Sequence, residues 1–194
     1  MLAKAQAICP IEFPAKHRLA FNGKGQDTGA TNTGLSLMNK TEAILFVCLG
    51  NICRSPMAEG ICRTLAEQKG IAVEIDSAGT GSWHVGEAPD ARAQRTVARH
   101  GGDISMLTAR QVTQDDFYRF THIIALDHNN LSELRRIAPA DASAKLSLLL
   151  DHVKGREGQA VADPYYGSAG GFETTWNDVL TGTDALLDNL ANTE

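Results

Sequence analysis

Apolar residues change their spacing several times along this chain, and each spacing predicts a different element. Residues 43–47 (AILFV) are apolar without a break, the pattern of a strand buried on both faces. A polar turn follows, and over residues 56–69 Met57, Ile61 and Leu65 recur at intervals of four, which predicts a helix. Ser55 suits the N-cap of that helix, Pro56 its first position and Gly70 its stop. Residues 71–75 read as a second strand, and residues 90–100 as a helix ended by Gly101-Gly102. Residues 113–116 match a capping box that opens a short helix carrying Phe117 and Phe120, ahead of a buried strand at 121–126. Asp127 caps the next helix, with Leu131, Leu134 and Ile137 on one face, and an apolar run at 146–150 follows Pro139. The last helix has the clearest period, because Phe172, Trp176, Val179, Leu180, Leu187 and Leu190 fall close to one face.

Strands alternating with helices predict an α/β fold of three layers, a central four-stranded parallel sheet with helices on both faces. Ligands of such sheets bind beyond the carboxyl ends of the strands, which singles out residues 48–55 after the first strand. The first 40 residues differ in kind. Residues 21–39 are mostly Gly, Asn, Thr, Ser and Gln and keep neither period, so they cannot build a core. Residues 1–40 carry five Lys/Arg against two Asp/Glu, opposite in sign to the chain as a whole. The expected domain is therefore 41–194, with 1–40 a disordered or non-native extension.

Composition narrows the class further. With 43% hydrophobic and 21% charged residues among 194, the chain can bury the core of one globular domain. Its net charge of −5 leaves no pool of positive charge for a nucleic-acid backbone. No apolar run approaches the roughly 20 residues of a membrane-spanning helix, so neither nucleic-acid binding nor membrane insertion is expected. All four cysteines (Cys9, Cys48, Cys53 and Cys62) lie in the first third, a poor layout for a disulfide framework. Residues 1–8 lack the unbroken apolar stretch of a signal peptide. Both features point to a reducing, cytoplasmic location.

The segment Cys48-Leu49-Gly50-Asn51-Ile52-Cys53-Arg54-Ser55-Pro56 places a cysteine and an arginine six positions apart at a strand-to-helix turn. Successive backbone N–H groups of such a turn can aim at one point, and the helix N-terminus adds partial positive charge, so the turn suits an anion. Gly50 and Asn51 tolerate the left-handed backbone of a tight cradle. Arg54 can offer a planar fork to two phosphate oxygens, a geometry lysine cannot imitate. A thiol at Cys48, facing amides and a guanidinium, gives up its proton readily and becomes a nucleophile at neutral pH. Ser55 can add a hydroxyl hydrogen bond to the resulting thiolate.

Cys-Leu-Gly-Asn-Ile-Cys-Arg-Ser-Pro-Met at 48–57, with Asp163-Pro164-Tyr165-Tyr166-Gly167 downstream, resembles the low-molecular-weight protein tyrosine phosphatases. The resemblance covers about 43–190 in the family's order, including Asp76-Ser77, Trp83, Arg99-His100-Gly101, Ala109-Arg110-Gln111 and residues 127–131. It implies hydrolysis of phosphotyrosine through a phosphocysteine, with Cys48 as nucleophile and Arg54 as phosphate clamp. Asp163 would protonate the leaving phenolate and then activate water, a role that chemistry supports because an aryloxide leaves more easily beside a proton donor. The resemblance assigns Leu49, Gly50, Asn51, Ile52, Cys53 and Ser55 to substrate binding, with Trp83 and Tyr165 as aromatic walls and Leu49 on the cleft floor. Ser77 and His100 would join Asn51 and Ser55 in a hydrogen-bond network that shapes the loop. Cys53 would trap an oxidised Cys48 as a disulfide, which makes the enzyme redox-regulated. No cofactor and no metal are implied, and the partner is a phosphotyrosine-containing protein, a tyrosine kinase among the candidates.

Three neighbouring readings are weaker. Arsenate reduction by a cysteine relay needs further cysteines downstream, and none follows Cys62. A phosphoarginine branch of the family typically has threonine where this chain has Ile52. A module that only senses phosphate would not need Cys48, Arg54 and Asp163 together.

Overall fold

A computed structural model describes residues 42–167 and 169–192. The chain runs β1 (Glu42–Cys48), α1 (Arg54–Lys69), β2 (Val73–Gly79), α2 (Ala91–Arg99), α3 (Asp116–Arg119), β3 (His122–Ala125), α4 (His128–Ile137), β4 (Lys145–Leu148), a 3-10 turn (Leu149–His152) and α5 (Ala169–Ala191). The strands form one parallel sheet in the order β2-β1-β3-β4. β1 is central because its run is apolar on both faces: Ile44 and Phe46 meet the core beneath α1 and α5, while Leu45 and Val47 meet Phe117, Phe120, Leu131 and Leu134. Three layers follow, as the alternating pattern predicts.

From β1 the chain crosses first to one side of the sheet and later to the other, so the carboxyl end of β1 is a topological switch point. Loop 48–53 sits there, and this is how the fold places the site.

Several predicted boundaries shift, each for a tertiary reason. α1 begins at Arg54, with Cys53 rather than Ser55 at the N-cap; the Ser55 hydroxyl turns instead to Cys48 Sγ and the Ala78 carbonyl. Pro56 consequently falls within the first turn, where a missing N–H breaks no helical bond. The second strand starts later than predicted and continues through Asp76 and Ser77, because both polar side chains find partners at the strand's end: Arg110 for Asp76 and Asn51 for Ser77. The predicted box at 113–116 is modified, since the Asp116 carboxylate accepts from both the Thr113 N–H and its hydroxyl while also holding Arg110. The apolar run at 146–150 divides between β4 and the 3-10 turn, whose Leu149 packs so closely on α5 that a Cβ at Gly182 would stand 2.6 Å from its Cγ. The expectation for residues 1–40, with Cys9, lies outside the described residues.

Candidate active site

Loop 48–53 is shaped by Asn51, the one non-glycine residue with positive φ (55°) among the described residues. Its side chain explains why the conformation holds. Asn51 Nδ2 donates to Ser55 Oγ and Ser77 Oγ, both at 2.9 Å, and Oδ1 accepts the Arg110 backbone N–H at 2.9 Å. Behind Ser77 lies Glu59, a carboxylate only 3% exposed, which accepts the Ser77 hydroxyl at 2.7 Å and is neutralised by Arg63 at 2.7 Å. At the centre, Cys48 Sγ accepts the Asn51 N–H at 3.3 Å and lies 3.1 Å from Ser55 Oγ.

Arg54 is buried (2% exposed), and its guanidinium spans the pocket. Nη1 donates to Asp127 Oδ2 at 2.6 Å and to the Val161 carbonyl at 3.3 Å, and Nη2 donates to Asp163 Oδ2 at 2.8 Å. Burial opposes its charge, but Cys48, Asp127 and Asp163 together outweigh that and hold its pKa above the usual value. Burial acts in the same direction as the negative groups around Cys53, and only Arg92 opposes them. Its thiol is pushed up to about 12, mainly by burial and then by Asp90, Cys48 and Asp163, so Cys53 keeps its proton at neutral pH.

These groups open into a pocket of ≈ 340 Å³. Of the residues singled out from sequence, Cys48, Leu49, Gly50, Ile52, Cys53, Arg54, Trp83, Asp163 and Tyr165 line it. Asn51, Ser55 and Ser77 stand behind the loop and hold its shape. Leu49, expected on the cleft floor, lines the pocket and is 48% exposed. The expectation for His100 is corrected: at the end of α2 its ring stacks on Trp176 (centroids 4.1 Å apart) and bonds Glu173, away from the loop. Packing on α5 decides its place.

Sequence reasoning missed His84 and Tyr166 in the lining, and Glu59, Asp127 and Arg110 as supports. Asp127 carried a partial signal, since it does cap α4 through Oδ1 on the Asn130 N–H at 2.8 Å, but its other oxygen takes Arg54. His84 packs its ring on the loop at Gly50, where a Cβ would meet Cδ2 at 3.0 Å; nothing local in the sequence announces that contact. Among the described residues no group of three or more His, Cys, Asp or Glu is placed to hold a metal ion, and no helix is long and apolar enough to cross a membrane.

The model of the low molecular weight phosphotyrosine protein phosphatase family matches residues 43–194. The chain belongs to that family. The Bacillus subtilis low molecular weight protein-tyrosine-phosphatase YfkJ is 42% identical over 150 residues, covering 76% of this chain and 95% of the relative. Its crystal structure matches this phosphatase fold with a TM-score of 0.75 at 40% identity, over 81% of this chain and 99% of that one. The human low molecular weight phosphotyrosine protein phosphatase is 38% identical over 151 residues, 76% of this chain and 95% of its own. A Drosophila arginine phosphatase structure also matches, with a TM-score of 0.72 and 35% identity over 76% of this chain and 96% of that one. The four-stranded parallel sheet with its phosphate-binding loop after β1 is thus the architecture of the phosphatase family.

Proposed function

We propose that this chain is a protein tyrosine phosphatase that hydrolyses phosphotyrosine, and aryl phosphates generally, through a phosphocysteine and without a metal. One observation carries the reading: the Cys48 thiol, the Arg54 fork and the Asp163 carboxyl converge in one pocket flanked by Trp83 and Tyr165. Substrate phosphate draws the Arg54 donors from the carboxylates onto its oxygens. Cys48 Sγ then attacks phosphorus as the aryl C–O–P bond breaks at phosphorus, and the departing phenolate oxygen takes a proton from Asp163. In the second half Asp163, now a carboxylate, accepts a proton from water as the water oxygen attacks phosphorus, and Sγ leaves as thiolate. Thiolate and guanidinium supply the nucleophile and charge stabilisation that a metal would otherwise provide.

A pocket with aromatic walls favours an aryl phosphate over the shorter phosphoserine, which reaches the thiolate poorly. Ile52 in the lining supports tyrosine over arginine as the phosphorylated side chain. The three free cysteines among the described residues fit a reducing, cytoplasmic location, with a phosphoprotein, such as a tyrosine kinase, as partner. Residues 41–194 form the catalytic domain, and removal of 1–40 is expected to leave turnover unchanged. The purified chain should release phosphate from phosphotyrosyl peptides in the presence of a chelator, and more slowly from phosphoarginyl and phosphoseryl ones. Cys48→Ser and Arg54→Ala should each remove nearly all turnover; an active Cys48→Ser or a chelator-sensitive wild type would exclude the cysteine mechanism.

A further inference from the structure

We propose that Arg92 is a positioning residue for this reaction, a brace that ties the loop carrying Asp163 to the phosphate-binding loop and keeps that carboxyl in place once Arg54 has turned to the substrate. The inference rests on the reading of Asp163 as the proton donor. Arg54 holds Asp163 at 2.8 Å through Nη2, but a phosphoryl group over Cys48 competes for that donor. The carboxyl must then be located by its own loop. Asp163 Oδ1 accepts the Tyr165 N–H at 3.1 Å, so whatever fixes residue 165 also fixes the acid. On the amino side the loop is held by the Val161 N–H on the Leu126 carbonyl at 2.8 Å and by Thr175 Oγ1 on the Ala162 carbonyl at 3.3 Å. On the carboxyl side Arg92 Nη1 donates to the Tyr165 carbonyl at 3.1 Å.

The rest of Arg92 makes this anchor rigid. Nε and Nη2 form a fork on the Asp90 carboxylate at 3.0 and 2.8 Å, and the Asp90 backbone N–H donates to the Ile52 carbonyl of the phosphate-binding loop at 2.7 Å. The guanidinium carbon lies 4.9 Å from the Phe172 ring centroid and 5.4 Å from that of Tyr165, favourable cation–π placements. Ile52, Asp90, Arg92, Tyr165 and Asp163 therefore form one connected path from the cradle to the acid. None of the Arg92 contacts uses Arg54, so substrate binding leaves the brace intact. Lysine at 92 would keep the charge but lose the fork.

Arg92→Ala, Arg92→Lys and Asp163→Asn are to be compared on aryl phosphates whose phenols span a wide range of acidity, with competitive inhibition by inorganic phosphate as the measure of the cradle. Arg92→Ala is expected to lose about 10-fold in kcat on the poorest leaving groups and less than about twofold on the best, with phosphate inhibition unchanged. Arg92→Lys should show the same trend at smaller amplitude. An equal loss across all leaving groups, weaker inhibition by phosphate in step with the loss, or unchanged kinetics in Arg92→Ala would overturn the proposal. Asp163→Asn separates the two ideas. If it depends steeply on the leaving group while Arg92→Ala does not, the brace alone is wrong; if Asp163→Asn is itself flat, the proton-donor reading fails and the brace with it.

Discussion

Asn51 holds a backbone conformation that most side chains avoid, and the same side chain makes the bonds that keep it there. Alanine at 51 would face roughly 1–2 kcal/mol of left-handed strain with no compensating hydrogen bond, so Asn51→Ala should lower both the melting temperature and kcat/KM. Asn51→Gly should recover only the strain part of the stability and none of the activity, because glycine tolerates the φ but cannot bond Ser55, Ser77 and the Arg110 N–H; full activity in Asn51→Gly would show that the hydrogen bonds are dispensable. Cys53 lines the pocket with Cys48, and a proposed redox role has peroxide convert the Cys48 thiolate to a sulfenic acid, which the Cys53 sulfur then attacks to form a disulfide and release water. Since burial keeps Cys53 protonated, with its pKa at about 12, the trapping step should quicken as pH rises. Brief peroxide treatment followed by a dithiol should restore wild-type activity but not that of Cys53→Ser. Equal recovery in both would leave Cys53 as a packing residue.

Elements are held to one another by contacts that local patterning cannot show. α5 crosses the 3-10 turn at Gly182, and no room exists there for a larger residue. Gly182→Val should cost about 1–3 kcal/mol by overpacking, read as a lower urea midpoint with an unchanged slope; an unaltered midpoint would mean that Leu149 repacks freely. The period of the final helix was legible because packing on one broad face imposes it. Legible for the same reason was β1, whose neighbours on both sides of the sheet demand apolar residues. The late end of β2 was not, because Asp76 and Ser77 are polar and their partners, Arg110 and Asn51, lie far along the chain. The start of α1 escaped for a related reason: Ser55 serves the Cys48 sulfur rather than the helix end.

For the whole molecule, acid should be felt first through His122 and His152, which lie away from the reacting groups. Burial is the main cause lowering the pKa of each, with Lys145 acting alongside it on His122 and His122 on His152, and together these outweigh the opposing pull of Glu42 on His122 and of Asp151 on His152. A lowered folded-state pKa means that the unfolded chain takes up protons first as pH falls below about 6.5. Stability should therefore be intact above that pH and decline as pH falls toward the folded-state values. The melting temperature is expected to drop between about pH 7 and pH 5, and His152→Asn should flatten that drop; an identical profile in the variant would assign it to other groups. By itself the sequence determined the three-layer class, the place of the loop after β1 and the cysteine and arginine within it, because burial on two faces, helix periodicity and turn chemistry are local properties; the distant aspartate came only through the family resemblance. Only the tertiary structure decided that Asp127 and Asp163 share Arg54, that Glu59 and Arg110 hold the loop, that His84 lines the pocket and His100 does not. Those outcomes depend on which polar side chains meet across long stretches of chain, and a hydrogen bond between distant residues leaves no period in the sequence.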